Sequence, residues 1–374
     1  MNPYAPGQPA SPDSFAGRGN VIERVEEAVL DALQIRRSTA VMLHGYRGSG
    51  KTSALRKIQA VVRTQAPGSI AAEIPLRVHS SEDRLLATIV QEVGRQLSAR
   101  PRLGEKVKGF LSRINGLSIA GTGVSVMPGG TDRRTSGLAV WRDCIESLEG
   151  EKILLICVDD AELLDASGLG TLKTIAEAHS RVPIILVVAG GVELSNRLGQ
   201  RETSPILRVF SGARFDIGEL SPEETGAALS APINAVGGTG SWRPDAVREV
   251  HLLSHGYPFL VQCLASAAYR APDPIDVPRV RGTVEAALKI GSSWLERECA
   301  DASDEDIRAF AKIAAQGRAR LRSSEIISLG IQSPYIGRLV RLKILKKISR
   351  GHYELQKAPV IAYYHALARD LRLV

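Results

Sequence analysis

Three groups of residues carry types and spacings that can do chemistry. The first is Gly45 to Ser53, GYRGSGKTS, whose first eight residues fit the phosphate-loop pattern G-x-x-x-x-G-K-S/T without a mismatch. Gly45, Gly48 and Gly50 let the backbone curl until its N–H groups point inward at an anion. Tyr46, Arg47 and Ser49 fill the variable positions, and Ser53 follows the motif. Lys51 then reaches the β- and γ-phosphates, and the Thr52 hydroxyl takes Mg²⁺. A chance Gly-rich turn would lack the apolar run Ala40–Leu43 before it and the helix-forming stretch Thr52–Ala60 after it.

The second group is Asp159-Asp160, at the end of the apolar run Ile153–Val158. Six apolar residues spell a strand buried on both faces. An acid at the tip of such a strand, beside a phosphate loop, is the second nucleotide motif. Asp159 would hold Mg²⁺ through water, and Asp160 sits where a base can orient an attacking water. An acidic turn after a strand is the alternative; the phosphate loop upstream favours the motif. The third group is basic. Arg338 and Arg341 fall opposite the apolar face Ile336, Leu339 and Val340 of one helix, and Lys346, Lys347 and Arg350 continue beyond it.

His251 and His255 are spaced i, i+4, but no acid or Cys completes a metal set. Cys144, Cys157, Cys263 and Cys299 are scattered without a C-x-x-C, as expected of small core residues in a reducing compartment. No apolar run approaches the ~20 residues that span a bilayer, and the N-terminus lacks a signal pattern. These features predict a cytoplasmic protein with no membrane partner. The 374 residues carry a formal charge of +8. Residues 301–374 hold 14 Lys and Arg against 7 Asp and Glu, a net of +7, so residues 1–300 contribute only +1. Such asymmetry suits nucleic acid, although a solvated basic surface is the alternative.

Strands alternate with helices over 36–217, which predicts a parallel sheet covered on both faces. The strands are expected near Ala40–Leu43, Ala71–Val78, Ile153–Val158, Ile184–Ala189 and Ala213–Ile217. Residues 1–14 read as an extended arm, and 101–133 as an insert with a hairpin in LSIAGTGVSV. From Ser221 the chain turns helical. Residues 301–374 read as helix Asp304–Ala315, helix Ser323–Ser328, helix Ser333–Leu345 and a hairpin around Ile348–Leu355, the order of a winged helix-turn-helix.

With these motifs in order, the chain resembles the AAA+ ATPases, most of all the origin-recognition-like and STAND branch. The opening Asn2-Pro3-Tyr4 with Gly17-Arg18, the phosphate loop, ICVDD, and HGYPFLVQ at 255–262 carry the likeness. It implies a three-layer αβα P-loop NTPase domain over 21–219, with an N-terminal arm (1–20), a helical lid (220–300) and a winged helix (301–374). It implies that Gly17 and Arg18 pack against adenine and that Gly256 and Pro258 approach the base. It further implies an ATP/ADP-dependent switch with Mg²⁺, slow hydrolysis and assembly into a homo-oligomer. Arg208 falls where a trans-acting arginine finger would, with Arg201 and Arg214 as rivals. Two departures stand out. Asp160 replaces the usual Glu and is set back by about 1.5 Å, and Gly190 occupies the position of a polar sensor. The winged helix implies action on double-stranded DNA through Arg338, Arg341, Lys346, Lys347 and Arg350. The alternative is a signalling or assembly ATPase whose winged helix binds a protein or holds a closed state.

Overall fold

The computed structural model describes residues 2–99, 109, 117–120, 123–126, 133–134, 136–148, 150–178, 181–198, 200, 204–318 and 320–371. The chain divides into two compact units: Arg18–Arg47 with Lys51–Ile217, and Met1–Gly17 and Gly48–Gly50 with Gly218–Val374.

The first unit is built on five parallel strands in the order β2-β6-β7-β1-β8. These are β1 (Thr39–His44), β2 (Ile70–Pro75), β6 (Leu154–Asp159), β7 (Ile184–Gly190) and β8 (Arg214–Asp216), with β3 to β5 defined below. Every residue of β6 and β7 is buried. Apolar side chains on both faces of a strand need cover on both faces, which the helices between strands supply. The chain order therefore fixes a layered α/β unit, as expected. β2 stops at Pro75, short of the expected Val78, because Pro75 pairs with Asp159, where its neighbour β6 ends. β6 does not pair with β1. β7 runs between them, so the two motif-bearing strands are one strand apart.

Helix Gly19–Ile35 turns Val21, Val25, Ala28, Val29 and Ala32 inward. Helix Lys51–Gln65 buries Ala54, Leu55, Ile58 and Val62. Helix Glu82–Ser98 buries eight residues from Leu85 to Leu97 and packs on helix Gly137–Ser147, capped by the Ser136 side chain. Between these helices, β3 (Leu117–Ala120), β4 (Gly123–Val126) and β5 (Arg133–Arg134) form a small antiparallel sheet. β3 and β4 coincide with the alternation in LSIAGTGVSV. Most of the expected basic stretch before it, and Arg201, lie outside the described residues.

In the second unit, Ser221 closes a capping box with Glu224 at the start of helix Pro222–Ala235. Helices Pro244–Ser254, Pro258–Ala268, Val277–Gly282 and Val284–Leu295 follow. The N-terminal segment is anchored here. Asn2 Nδ2 donates to the Ser266 carbonyl at 3.0 Å. Tyr4 is buried, donates its hydroxyl hydrogen to the Leu229 carbonyl and accepts from Trp242 Nε1 at 2.7 Å. A buried tyrosine hydroxyl must find such partners.

Helices Asp304–Ala314, Ser323–Ser328 and Ser333–Arg341 pack with an antiparallel sheet of order β10-β11-β9, comprising β9 (Arg320–Arg322), β10 (Leu345–Ser349) and β11 (His352–Leu355). Phe310, Ile313, Ile326, Leu339, Ile344 and Leu345 share its core. The third helix stops four residues before the expected Leu345. Lys343 takes a left-handed φ of 54°, and Leu345 opens β10. Strand β9 and the final helix Pro359–Ala368 were not apparent in the sequence.

Candidate functional site

The site lies at the carboxyl ends of the parallel strands, where open α/β sheets take their ligands. β1 delivers the chain into the loop Gly45–Gly50. Gly48 and Gly50 have φ of 81° and 95°, values closed to most side chains. The Gly45 N–H donates to the Gly190 carbonyl at 3.2 Å, which ties the start of the loop to the tip of β7. Ser49 is buried, whereas Tyr46 and Arg47 are exposed.

Lys51 opens the helix after the loop, and its Nζ donates to the carbonyls of Gly45 and Tyr46, both at 2.9 Å. Burial lowers its pKa, opposed by the negative charges of Glu162, Asp159, Asp160 and Glu193. Thr52 Oγ1 donates to Asp159 Oδ2 at 2.6 Å. The same carboxylate accepts from the Asp160 N–H through Oδ1 at 3.0 Å, and Asp159 is only 6% exposed. A hydroxyl and a carboxylate converging beside a phosphate loop form a hard-oxygen donor pair suited to Mg²⁺. The pair forms across β7, because Thr52 stands on the helix after β1 and Asp159 at the tip of β6.

Asp160 is exposed and adopts a left-handed φ of 54° as the chain leaves β6. Burial raises its pKa, helped by Asp159 and Glu162 and opposed by Lys51 and Arg47. Two carboxylates missed in the sequence join this set. Glu162 lies in the turn Ala161–Leu163, and its Oε2 accepts from the Gly191 N–H at 2.9 Å. Glu193 follows at the start of helix Val192–Leu198. The spacing Asp-Asp-x-Glu was the available signal for Glu162.

Arg208 is exposed in the turn Arg208–Phe210 before β8, and Arg214 Nη2 reaches Ser195 Oγ at 3.4 Å. The remaining nucleotide candidates outside this set are Gly17, Arg18, Gly256 and Pro258. Arg18 has a left-handed φ of 61° where helix Gly19–Ile35 begins. Gly17 has a φ of 79°, and a Cβ there would stand 2.9 Å from Glu224 Oε1. Gly256 has a φ of 69°, and a Cβ would fall 2.2 Å from the Leu220 carbonyl oxygen. The Leu220 backbone thus leaves no room for a side chain at Gly256, and the positive φ favours glycine at both positions. Pro258 starts helix Pro258–Ala268, where a missing N–H costs nothing. His251 Nδ1 lies 2.9 Å from Thr225 Oγ1.

The basic set is split. Arg341, Lys346, Lys347 and Arg350 are exposed. Arg338 is half-buried and already paired, not the open surface cation that the sequence suggested. Its Nε and Nη2 each donate to the buried Asp306 at 2.7 Å. Tyr335 Oη and the Ser303 N–H and Oγ complete that carboxylate's shell. Burial pushes the Asp306 carboxyl up, but these donors outweigh it and hold it well below the usual carboxylate range.

The sheet order, the phosphate loop and the acid at the tip of β6 define the parallel-sheet α/β fold of the AAA+ P-loop NTPases. Residues 14–188 match the AAA ATPase domain family. Solved structures agree on the fold. The Aeropyrum pernix ORC2 protein, in its ADPNP–ADP complexes, is 15% identical with a TM-score of 0.55, over 98% of this chain and 95% of that one. The Walker-type ATPase PABY2304 of Pyrococcus abyssi is 16% identical with a TM-score of 0.51, over 94% and 95%. Cdc6p from Pyrobaculum aerophilum is 13% identical with a TM-score of 0.51, over 99% and 97%. Curated proteins gave no match to the sequence. Among the described residues, no helix is long and apolar enough to cross a membrane.

Proposed function

We propose that this protein is an ATP-dependent switch that binds Mg²⁺·ATP, hydrolyses it slowly and acts as a homo-oligomer on duplex DNA. The observation that carries the nucleotide part is the 2.6 Å contact of Thr52 Oγ1 with Asp159 Oδ2, one residue after Lys51 in a complete phosphate loop. Thr52 and Asp159 would hold Mg²⁺, which when bound draws charge from the β- and γ-phosphates. The loop N–H groups and the start of helix Lys51–Gln65 favour the phosphates' negative charge. Lys51 leaves its two carbonyl acceptors to meet the terminal phosphates. The ADPNP–ADP complexes of the A. pernix ORC2 protein are consonant with an adenine nucleotide.

Gly17, Arg18, Gly256 and Pro258 remain the candidates for the adenine side, and Arg208 for the neighbour-supplied finger. The origin-recognition-like and STAND affinity rests on the opening NPY and HGYPFLVQ, and a cytoplasmic location on the cysteine pattern. The DNA reading rests on the helix–strand–helix–helix–hairpin order of 304–355, the order of a winged helix. It also rests on the exposed Arg341, Lys346, Lys347 and Arg350. The pairing of Arg338 with Asp306 favours the second reading, a protein-binding or closed-state role, to the extent that it withdraws one cation from the phosphates. Equilibrium binding of ATP and ADP with and without Mg²⁺, followed by duplex-DNA titration in each nucleotide state, tests both parts.

A further inference from the structure

The tip of β7 ends in Gly190-Gly191, so the strand between the two nucleotide motifs brings no side chain of its own to the site. Glu162 and Leu194 share that place. Glu162 Oε2 accepts from the Gly191 N–H at 2.9 Å, while the Glu162 backbone carbonyl is gripped by Arg197 Nη1 at 2.8 Å. A Cβ on Gly190 would stand 2.4 Å from Leu194 Cδ2 and 3.0 Å from Glu162 Oε2, and one on Gly191 2.6 Å from Glu193 Oε2 and 3.3 Å from Glu162 Oε1. The neighbouring bonds run straight to the phosphate loop. Gly190 accepts from the Gly45 N–H, and Gly45 in turn accepts from Lys51 Nζ. Asp160, by contrast, is exposed on a left-handed residue, and no side-chain hydrogen bond braces it among the described residues.

We propose that Glu162 is the carboxylate that orients and deprotonates the water attacking the γ-phosphate, in the place Gly190 leaves without a side chain. This rests on the ATPase reading above. The water oxygen bonds to the γ-phosphorus as the bond from that phosphorus to the β–γ bridging oxygen breaks. The bridging electron pair leaves with ADP, and the water proton passes to Glu162.

The test compares wild type, Glu162→Gln, Glu162→Asp, Asp160→Asn and Lys51→Ala in the full chain, reading phosphate release and the affinities for ATP and ADP. Gln keeps an acceptor oxygen for Gly191, so a purely structural Glu162 would tolerate it. A proton acceptor does not: kcat should fall about 100-fold, the scale of a lost general base. The ratio of ATP to ADP affinity should rise at least threefold, because a negative charge facing the γ-phosphate is gone. Glu162→Asp keeps the charge but is set back, and its kcat should lie between wild type and Glu162→Gln. Asp160→Asn should cost at least tenfold less than Glu162→Gln. A folded Glu162→Gln with kcat within threefold of wild type, or a larger loss in Asp160→Asn, overturns the assignment while leaving the ATPase reading intact. A wild type that binds ATP no better than Lys51→Ala overturns both.

Discussion

Arg338 and Asp306 form a two-pronged ion pair, Nε to Oδ1 and Nη2 to Oδ2, each at 2.7 Å, with the aspartate side chain fully buried. The pair joins the third helix of the C-terminal segment to the N-terminal turn of the first, where Asp306 also answers the Ser303 cap. Arg338→Ala should lower thermal stability and leave the salt dependence of DNA binding unchanged. A stable variant with a flatter salt slope would return Arg338 to the DNA face.

The same pair sets a pH dependence. Asp306 titrates below its unfolded value, so its contribution is complete above roughly pH 4, where an unfolded aspartate ionises. That contribution drains away as pH falls through the lower folded value. Asp306→Asn should therefore be less stable than wild type at neutral pH by about 3 kcal/mol, the scale of several hydrogen bonds to one charge. The gap should close towards pH 2 in a denaturant titration. A gap that persists or grows in acid contradicts the role given to the carboxylate.

The exposed set predicts the DNA behaviour. Removing one phosphate-binding cation should flatten the logarithmic salt dependence by about 0.9 on duplex DNA. Lys346→Ala with Lys347→Ala should flatten it by about two units if both meet phosphate, and Arg341→Ala by about one. No duplex affinity at low salt, or affinity indifferent to these changes, would select the protein-partner reading.

How the site was legible follows from which bonds are local. The phosphate loop is eight consecutive residues, and β6 and β7 are unbroken apolar runs, so motif and sheet could be read directly. The interposition of β7 between β1 and β6 could not, because strand order depends on crossovers and not on composition. The bond from Gly191 to Glu162 spans 29 positions and that from Arg338 to Asp306 spans 32. A helical-face argument places Arg338 opposite Ile336 and Leu339, as it is, but has no means of finding an acid on another helix. β9 is only three residues with alternating exposure, too short for a periodic signal.

Asp159 is buried and spends one oxygen on Thr52, so its charge is aimed. Asp159→Asn should preserve ATP binding without Mg²⁺, remove the gain in affinity that Mg²⁺ brings, and abolish hydrolysis. Titration calorimetry with and without Mg²⁺ checks this, and an unchanged Mg²⁺ effect would place the metal elsewhere.

Arg208 is exposed before β8, at the position proposed for a neighbour-supplied finger. Arg208→Ala should keep ATP affinity and lower the turnover of the assembled form at least tenfold. Turnover per chain that is independent of protein concentration, in wild type and variant alike, would rule out a required neighbour.

The central claim stands on Lys51. Its ammonium is held at the mouth of the loop by two carbonyls and forms no part of the core, so Lys51→Ala should melt within a few degrees of wild type. Equilibrium titration with a fluorescent ATP analogue should give saturable, Mg²⁺-enhanced binding for wild type and at least a hundredfold loss for the variant. Wild-type turnover should lie well below the ~10 s⁻¹ typical of enzymes. Equal ATP affinity in a folded Lys51→Ala would contradict the account at its root.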